Sequence, residues 1–548
     1  MNSKNKPTVE KRIANRNGVR RFILVWLSFL LEVFFLIWIT WVFSNSAEWF
    51  AVGLRVLALL LVLGIFSQYK TSALKMTWIV LIMGFPVMGV TLYLMNDWSW
   101  ATRRMRARFS KMSEQVLSKL ERDEEALAAL EKQDKSVANL ARYIQEYGGF
   151  PLYRDTEVEY HDSGEKALEE QLLAIAEAKR FVFLEYHAFE YAEGFWQLEE
   201  ALAERVAAGV EVRILYDDVG SIPFITTDFI DRMQERGILC RRFNPASGRG
   251  HLFMNHRDHR KITVIDGRVA FTGGYNIANE YFNITHPYGH WKDAGVKLTG
   301  SAAKSFTALF LEMWNITKGK SENDTDEQML HYITAGDHPE DVFGMLDDKL
   351  QQQRIEARDA AAVLLRENFV QPYADSPMDR EPLAENVYIG MIERAKDYIY
   401  ISTPYLILTD EMTRAMSLAA KRGVDIRFVT PGIPDKKTVY NVTRSYYHGL
   451  ARNGVRIFEY TPGFSHAKLF VSDDCVATCG TINLDFRGLY LHFENGVLLY
   501  KGEVIRKMRV DFEGMFAVSE DVTERYATGR SRSLRFGQLV LRMFAPLL

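Results

Sequence analysis

Two short stretches of the chain carry the same polar side chains at the same spacing. His259, Lys261 and Asp266 follow the pattern H-x-K-x4-D, and His466, Lys468 and Asp473 repeat it 207 residues later. Each copy is followed at equal offsets by glycine and asparagine, Gly273 and Asn276 in the first and Gly480 and Asn483 in the second. A single His-Lys pair would most simply decorate an exposed strand, but two copies sharing Gly and Asn are not a coincidence. An imidazole can serve as nucleophile or as acid and base, while an ammonium and an amide can neutralise charge on oxygen. Two such half-sites brought together suit a phosphodiester. One neutral imidazole attacks phosphorus and the second, protonated, gives its proton to the departing oxygen. Lys261, Lys468, Asn276 and Asn483 stabilise the non-bridging oxygens, and neither a metal nor a cofactor is called for.

The elements that must hold these groups follow from local pattern. "KITVIDGRVAFTG" has two β-rich runs around Asp266-Gly267, a two-residue hairpin signal. Centring the turn there places His259 opposite Gly274 and Lys261 opposite Thr272; centring the second on Asp473-Asp474 places His466 opposite Thr481. His and Lys, two apart, share one face of a strand. Asn276 and Asn483 return beside them, and glycine leaves room. Asp266 and Asp473 have the opposite parity and lie roughly 23 Å along the strand from their histidines, so geometry makes them turn or domain-packing residues. A carboxylate to orient each imidazole must come from elsewhere. Asp293 and Glu494, 34 and 28 residues after the two histidines and each preceding an apolar strand, are the candidates.

The motifs sit in a longer repeat. "AIAEAKRFVFLEYHAFE" and "MIERAKDYIYISTPYLI" each read as a helix running into a strand; helix, glycine turn and strand follow in both, through Gly209-Val210 and Gly423-Val424. Such alternation predicts an α/β fold made twice, each copy a mixed sheet flanked by helices.

Composition bounds the partners. With 548 residues and a formal net charge of -3, the chain has room for two or three domains and lacks the basic surface of a general nucleic-acid binder. Cys240, Cys475 and Cys479 suggest neither a disulfide framework nor a zinc site. The N-terminal region is different. Phe22 to Phe43 is apolar apart from Ser28, Glu32 and Thr40, and at ~1.5 Å per residue it covers a ~30 Å hydrocarbon layer. Its apolar run exceeds that of a signal peptide. Trp49 to Phe66 and Met76 to Met95 are further candidate spans, the last containing "GFPVMG", which predicts a bend or re-entry. Lys4, Lys6, Lys11, Arg12, Arg16, Arg20 and Arg21 favour a cytoplasmic N-terminus, and Arg103, Arg104, Arg106 and Arg108 favour a cytoplasmic continuation. Both hold only with an even number of crossings.

The duplicated motif resembles the phospholipase D superfamily. Within it, "YDDVGS", "TPYLILTDEM", "NVTRSYYHGLARNGVRIFEY", "GFSHAKLFVSD" and "NLDFRGLYLHFENGVLLY" resemble bacterial cardiolipin synthases, from about Ala47 to the C-terminus. The resemblance implies two phospholipase D-like repeats behind an N-terminal transmembrane helical region, and assigns the whole set His259, Lys261, Asp266, His466, Lys468 and Asp473 to catalysis. It also implies that two phosphatidylglycerol molecules are joined into cardiolipin with release of glycerol, through a phosphatidyl-histidine for which the N-terminal half supplies His259. The partners are then phosphatidylglycerol, other anionic phospholipids and the membrane, with no nucleic acid; the oligomeric state is open. Hydrolysis to phosphatidic acid by a membrane phospholipase D, or a membrane-tethered nuclease, remain the alternatives.

The expected plan is a basic tail over 1–21, a membrane region over 22–96 with two or three apolar segments, and a charged helical connector over 97–147. A first phospholipase D-like domain over 148–320, a linker over 321–377, a second domain over 378–528 and a basic amphipathic segment over 529–548 follow. This describes a multi-pass protein of the cell membrane with its catalytic domains on the cytoplasmic face. The last segment, with Arg530, Arg532, Arg535 and Arg542 among apolar residues, reads either as a helix on an anionic leaflet or as one packed on its own domain.

Overall fold

The computed structural model describes residues 48–68, 71–96, 99–245, 256–317, 323–337 and 368–528, together with 34, 38, 541–543 and 545. The basic tail, most of the first apolar segment including Glu32, most of the expected linker, and Arg530, Arg532 and Arg535 lie outside the described residues.

The first half contains strands β1 (Glu157–His161), β2 (Phe181–Tyr186), β3 (Glu211–Asp217), β4 (Leu239–Phe243), β5 (Arg257–Asp258), β6 (Lys261–Ile265), β7 (Val269–Gly273), β8 (His290–Lys292) and β9 (Gly295–Thr299). The second contains β10 (Phe369–Asp375), β11 (Tyr398–Ser402), β12 (Asp425–Pro431), β13 (Arg456–Tyr460), β14 (Gly463–Ser465), β15 (Leu469–Ser472), β16 (Val476–Gly480), β17 (His492–Tyr500) and β18 (Ser519–Asp521).

The first sheet runs β1-β9-β7-β6-β2-β3-β4 and the second β10-β17-β16-β15-β11-β12-β13-β18. The seven strands of the first are matched in order by the run from β10 to β13 of the second, to which β18 is added beyond β13, so the sequence repeat is a repeat of topology. In each sheet two parallel pairings (β2 with β3 and β3 with β4; β11 with β12 and β12 with β13) adjoin antiparallel ones, giving mixed sheets. Phe181, Val182, Phe183 and Leu184 are all buried, as are Ile399 and Ile401. These near-continuous apolar runs are what a strand covered on both faces requires.

Two short exchanges tie the halves together. β5, just before His259, pairs with β17 of the second sheet, bringing Asp258 level with Phe493. β14, just before His466, pairs with β8 of the first half, bringing Ser465 level with Lys292.

Some boundaries differ from expectation. The connector is three helices, Ser99–Leu117, Glu124–Gln133 and Lys135–Tyr143. Asp123 and Asp134 start the second and third by accepting from the amides of Ala126 and of Ser136 and Val137. Val116, Leu127, Leu130, Val137 and Ala141 are buried in the same core as the second sheet, so this segment is packed structure rather than a spacer. β10 pairs along its length with β17, which places Phe369–Asp375 in the second sheet rather than in a linker reaching residue 377.

The N-terminal apolar region contains α1 (Glu48–Phe66), α2 (Ser72–Gly84) and α3 (Pro86–Asn96). The expected third span is broken at Phe85, because Pro86 cannot continue the ladder of α2 and instead opens α3. The chain folds back so closely that a Cβ on Gly89 would lie 2.5 Å from the Leu81 carbonyl oxygen. Among the described residues no helix is long and apolar enough to cross a membrane.

Candidate active site

Each H-x-K stretch enters a hairpin whose turn is one residue longer than the sequence suggests. Ile265 pairs with Val269 and Ser472 with Val476, leaving three-residue turns at Asp266-Gly267-Arg268 and Asp473-Asp474-Cys475. Asp266 and Gly267 take φ of 53° and 67°, and Asp473 and Asp474 take 54° and 49°, left-handed values that Asp and Gly tolerate. The register therefore moves by one, so that Lys261 comes level with Gly273 rather than Thr272, and Lys468 with Gly480. The motif glycines clear the neighbouring strand rather than the histidine. A Cβ at Gly273 would meet the Ala294 oxygen at 2.5 Å, and one at Gly480 the Asn495 oxygen at 2.3 Å.

Asp266 and Asp473 stay at those turns. Asp266 accepts from the backbone amides of Lys179, Arg180 and Phe181, and Asp473 from those of Lys396, Asp397 and Tyr398. Each pins its hairpin to the start of the central strand, β2 or β11. The structure does not bring either aspartate to an imidazole, so the whole-motif assignment to catalysis separates into His and Lys at one end and Asp at the other.

The carboxylates arrive from the opposite half. The His259 amide donates to the Phe493 carbonyl at 2.9 Å, and the His466 amide to the Lys292 carbonyl at 2.7 Å. With each backbone clamped, His259 Nδ1 lies 2.8 Å from Glu494 Oε1, and His466 Nδ1 lies 2.9 Å from Asp293 Oδ2. An Nδ1–H donated to a carboxylate leaves Nε2 with its lone pair. Each half-site is thus completed by the other half of the chain. Gly274 permits one of these approaches, since a Cβ there would stand 2.1 Å from Asp293 Oδ1. Thr481 and the Asn495 backbone support the other: the Thr481 hydroxyl donates to Glu494 Oε2 and accepts from the Asn495 amide.

Both lysines are buried, and each donates to the carbonyl of its own histidine at 2.6 Å. The Lys468 ammonium also lies 2.9 Å from the His466 ring nitrogens. Burial pushes Lys261 down to about 8 and Lys468 down to about 7, the second also opposed by Lys261. Burial and then Lys468 lower His466 to about 4 against the pull of Asp293. Burial, Lys261, His187, His492 and Lys468 hold His259 well below the ordinary imidazole value. Burial raises Glu494 well above the carboxylate range. Asp293 feels the same burial, but His466, Lys468 and the Ala294 amide bring it below that range.

The asparagines are less alike than their offsets imply. Asn276 is buried, accepts from the Ala188 amide at 3.3 Å and donates to the Tyr281 hydroxyl at 2.8 Å. The Tyr281 ring stands against His466, so Asn276 is linked to the other half's imidazole. Asn483 is buried with no hydrogen-bond partner for its Oδ1.

Residues that pattern alone missed surround the histidines. The His187 ring lies 4.9 Å and the His492 ring 5.5 Å from that of His259. Trp291, Tyr281 and Phe464 lie 5.1, 5.4 and 5.8 Å from His466. A shared signal was present: Asp293-Ala294-Gly295-Val296 and Glu494-Asn495-Gly496-Val497 are equivalent strand entries, with Trp291 and His492 two residues upstream. Cys240 and Cys479 are buried free thiols, and Cys475 is half-buried.

Comparison with known proteins matches both halves of the chain. A family model described as "Cardiolipin synthase, PLD-like domain" matches residues 172–314 and 388–516, one match per half. An uncharacterized protein of Streptococcus mutans serotype c is 37% identical over 88% of this chain and 98% of its own length. "Cardiolipin synthase 2" of Bacillus cereus is 29% identical over 88% of each chain. The crystal structure of phosphatidylserine synthase from Haemophilus influenzae Rd KW20 superposes with a TM-score of 0.52 at 13% identity, over 74% of this chain and 97% of that one, a likeness of fold. The repeated sheets and the near full-length relatives lead to one conclusion: the chain belongs to the cardiolipin synthase family of phospholipase D-like phosphatidyltransferases.

Proposed function

We propose that the protein is a cardiolipin synthase, transferring the phosphatidyl group of one phosphatidylglycerol to the terminal hydroxyl of another. The observation that carries this is the crossed pair of buried His-carboxylate contacts, His259 with Glu494 and His466 with Asp293, each made across the two halves. His259 Nε2 attacks the donor phosphorus, the bond from phosphorus to the headgroup oxygen breaks, and that oxygen leaves as glycerol with a proton from His466. The phosphatidyl group remains on His259 through a P–N bond. The acceptor hydroxyl then gives its proton to His466 as its oxygen attacks phosphorus, the P–N bond breaks, and cardiolipin leaves. Lys261, Lys468, Asn276 and Asn483 balance charge on the non-bridging oxygens.

The assignment of His259 as nucleophile rests on its environment. Both imidazoles are held low by burial, and the carboxyls differ: Glu494 is raised and so gives little help to a proton on His259, whereas Asp293, held low, favours a proton on His466 once a phosphate anion enters.

A membrane location for this chemistry is supported by the N-terminal helices. Val52, Val56, Leu59, Leu60, Leu63 and Phe66 of α1 are exposed, an apolar face suited to lipid. At the far end of the chain, the Arg542 guanidinium packs 4.1 Å from the Tyr446 ring and the Thr77 hydroxyl donates to the Met543 carbonyl at 3.1 Å, so part of the C-terminal segment rests on the protein.

The test is incubation of the full chain in mixed micelles with phosphatidylglycerol, followed by separation of lipid products. Cardiolipin with equimolar glycerol supports the proposal. Phosphatidic acid as the main product would make water the acceptor and the protein a phospholipase D.

A further inference from the structure

Among the described residues two sets of three potential metal ligands have their ligand atoms within 4.8 Å of one another. In the set Glu159, His161 and Glu170, the Lys297 ammonium lies 3.1 Å from each acid, so a cation is already in place. In the set His259, His492 and Glu494 the ion-pair partners of the acid, among the described residues, are the two imidazoles themselves, although the buried Lys261 and Lys468 charges act on it. Glu494 Oε1 lies 2.8 Å from His259 Nδ1 and 3.8 Å from His492 Nδ1. Both ring nitrogens of His492 are buried without a hydrogen-bond partner, an unfavourable state for an imidazole unless something takes its lone pair.

The internal repeat supplies the contrast. The residue two positions before Asp293 is Trp291, whose Nε1–H donates to Asp293 Oδ2 at 3.2 Å. The residue two positions before Glu494 is His492. An indole satisfies the carboxylate and cannot ligate; a histidine in its place adds a second imidazole beside the catalytic one. Two imidazoles and one carboxylate are a donor set that binds zinc with a fourth position open, at bonds of about 2.0 to 2.2 Å. Tetrahedral bonds of that length set ligand atoms about 3.3 Å apart, and the observed 2.8 and 3.8 Å straddle it.

We propose that His259, His492 and Glu494 bind zinc or a chemically similar divalent transition metal, and that occupation switches the transferase centre off. The inhibitory half of this rests on the proposed function above. Coordination at His259 Nδ1 releases that proton to solvent, takes Glu494 away as its acceptor, and draws ring electron density from the Nε2 that attacks phosphorus. Transfer as derived needs that Nε2 lone pair and Glu494 in place, so the bound ion blocks it. Magnesium and calcium, which prefer oxygen ligands, compete poorly for this site.

The test is calorimetric titration of zinc into the tag-free, metal-stripped full chain in detergent, without lipid. The expected result is one saturable site per chain, weakened at least about 10-fold in His492→Phe, unchanged in Glu159→Gln, and unaffected by magnesium. His492→Asn provides the same comparison if the phenylalanine variant loses the wild-type melting profile. In the lipid assay, the zinc concentration that halves each variant's own zinc-free rate should rise at least about 10-fold in the His492 variant. No saturable zinc binding, or binding indifferent to both His492 substitutions, overturns the site. Binding that leaves transfer running overturns inhibition alone. Because binding is read without substrate, a failure to make cardiolipin would leave the metal site still decided by calorimetry.

Discussion

The two half-sites are built alike and finished differently. His259 and His466 each precede a buried lysine by two residues, are clamped by a backbone hydrogen bond to the other half, and give Nδ1 to a carboxylate from that half. Around His259 the neighbours are two more imidazoles, His187 and His492; around His466 they are Trp291, Tyr281 and Phe464. Glu494 has the Thr481 hydroxyl, and Asp293 has the Ala294 amide and the Trp291 indole N–H. Duplication explains the shared geometry. Burial lowers both imidazoles, so the divergent neighbours separate the carboxyls instead: Glu494 is raised by burial, whereas Asp293 is held low by His466, Lys468 and the Ala294 amide.

Several substitutions test how deep this difference runs. His259→Ala and His466→Ala should each lower cardiolipin formation by about 10³-fold or more, because attack and proton transfer are separate requirements. A lipid-product assay that found near wild-type rates in either variant would break the composite-site account. Lys261→Ala and Lys468→Ala should each cost at least ~10²-fold through unbalanced charge on the phosphoryl oxygens. Asp293→Asn should lower kcat roughly 10²-fold and Glu494→Gln less, because His466 must carry a proton for both steps whereas His259 is charged only while phosphatidylated. The reverse order would assign the proton-carrying role to His259. On pH, Lys468 and Lys261 are pushed down to about 7 and about 8, so they are charged below those values and lose charge as pH rises. The kcat/KM profile should therefore fall on the alkaline side between about pH 7 and 8, and a flat profile to pH 9 would remove the lysines from charge balance. The smallest effect is expected at the far end of the hairpin. Asp266→Asn should cost about 1–3 kcal/mol of stability by turning an amide group toward backbone N–H donors, with activity kept in the folded fraction.

Period-two patterning is strong for His259 with Lys261 and for His466 with Lys468, so the shared strand face was readable from the chain. The turn was not, because Asp266-Gly267 suits a two-residue loop as well as the three-residue one that forms. Asp293 and Glu494 stood out as acids before apolar strands. Their crossing depends on β5 and β14, pieces of two and three residues that pair across the halves and carry no local signal. His492 and Trp291 became meaningful only when the two sheets were aligned. In the N-terminal region the bend was legible, because "GFPVMG" predicts a break in the third apolar segment, and Pro86 and Gly89 form it.

The assignment of roles to the two histidines is tested most directly by trapping the covalent intermediate. A donor phosphatidyl ester with a good leaving group needs no proton, so His466→Ala should still load when mixed with it and quenched in milliseconds to seconds. Mass spectrometry of the digested protein should place the phosphatidyl adduct on His259, and His259→Ala should carry none. An adduct on His466 in His259→Ala, with His259 unmodified in His466→Ala, would contradict the assignment and exchange the roles of the two half-sites.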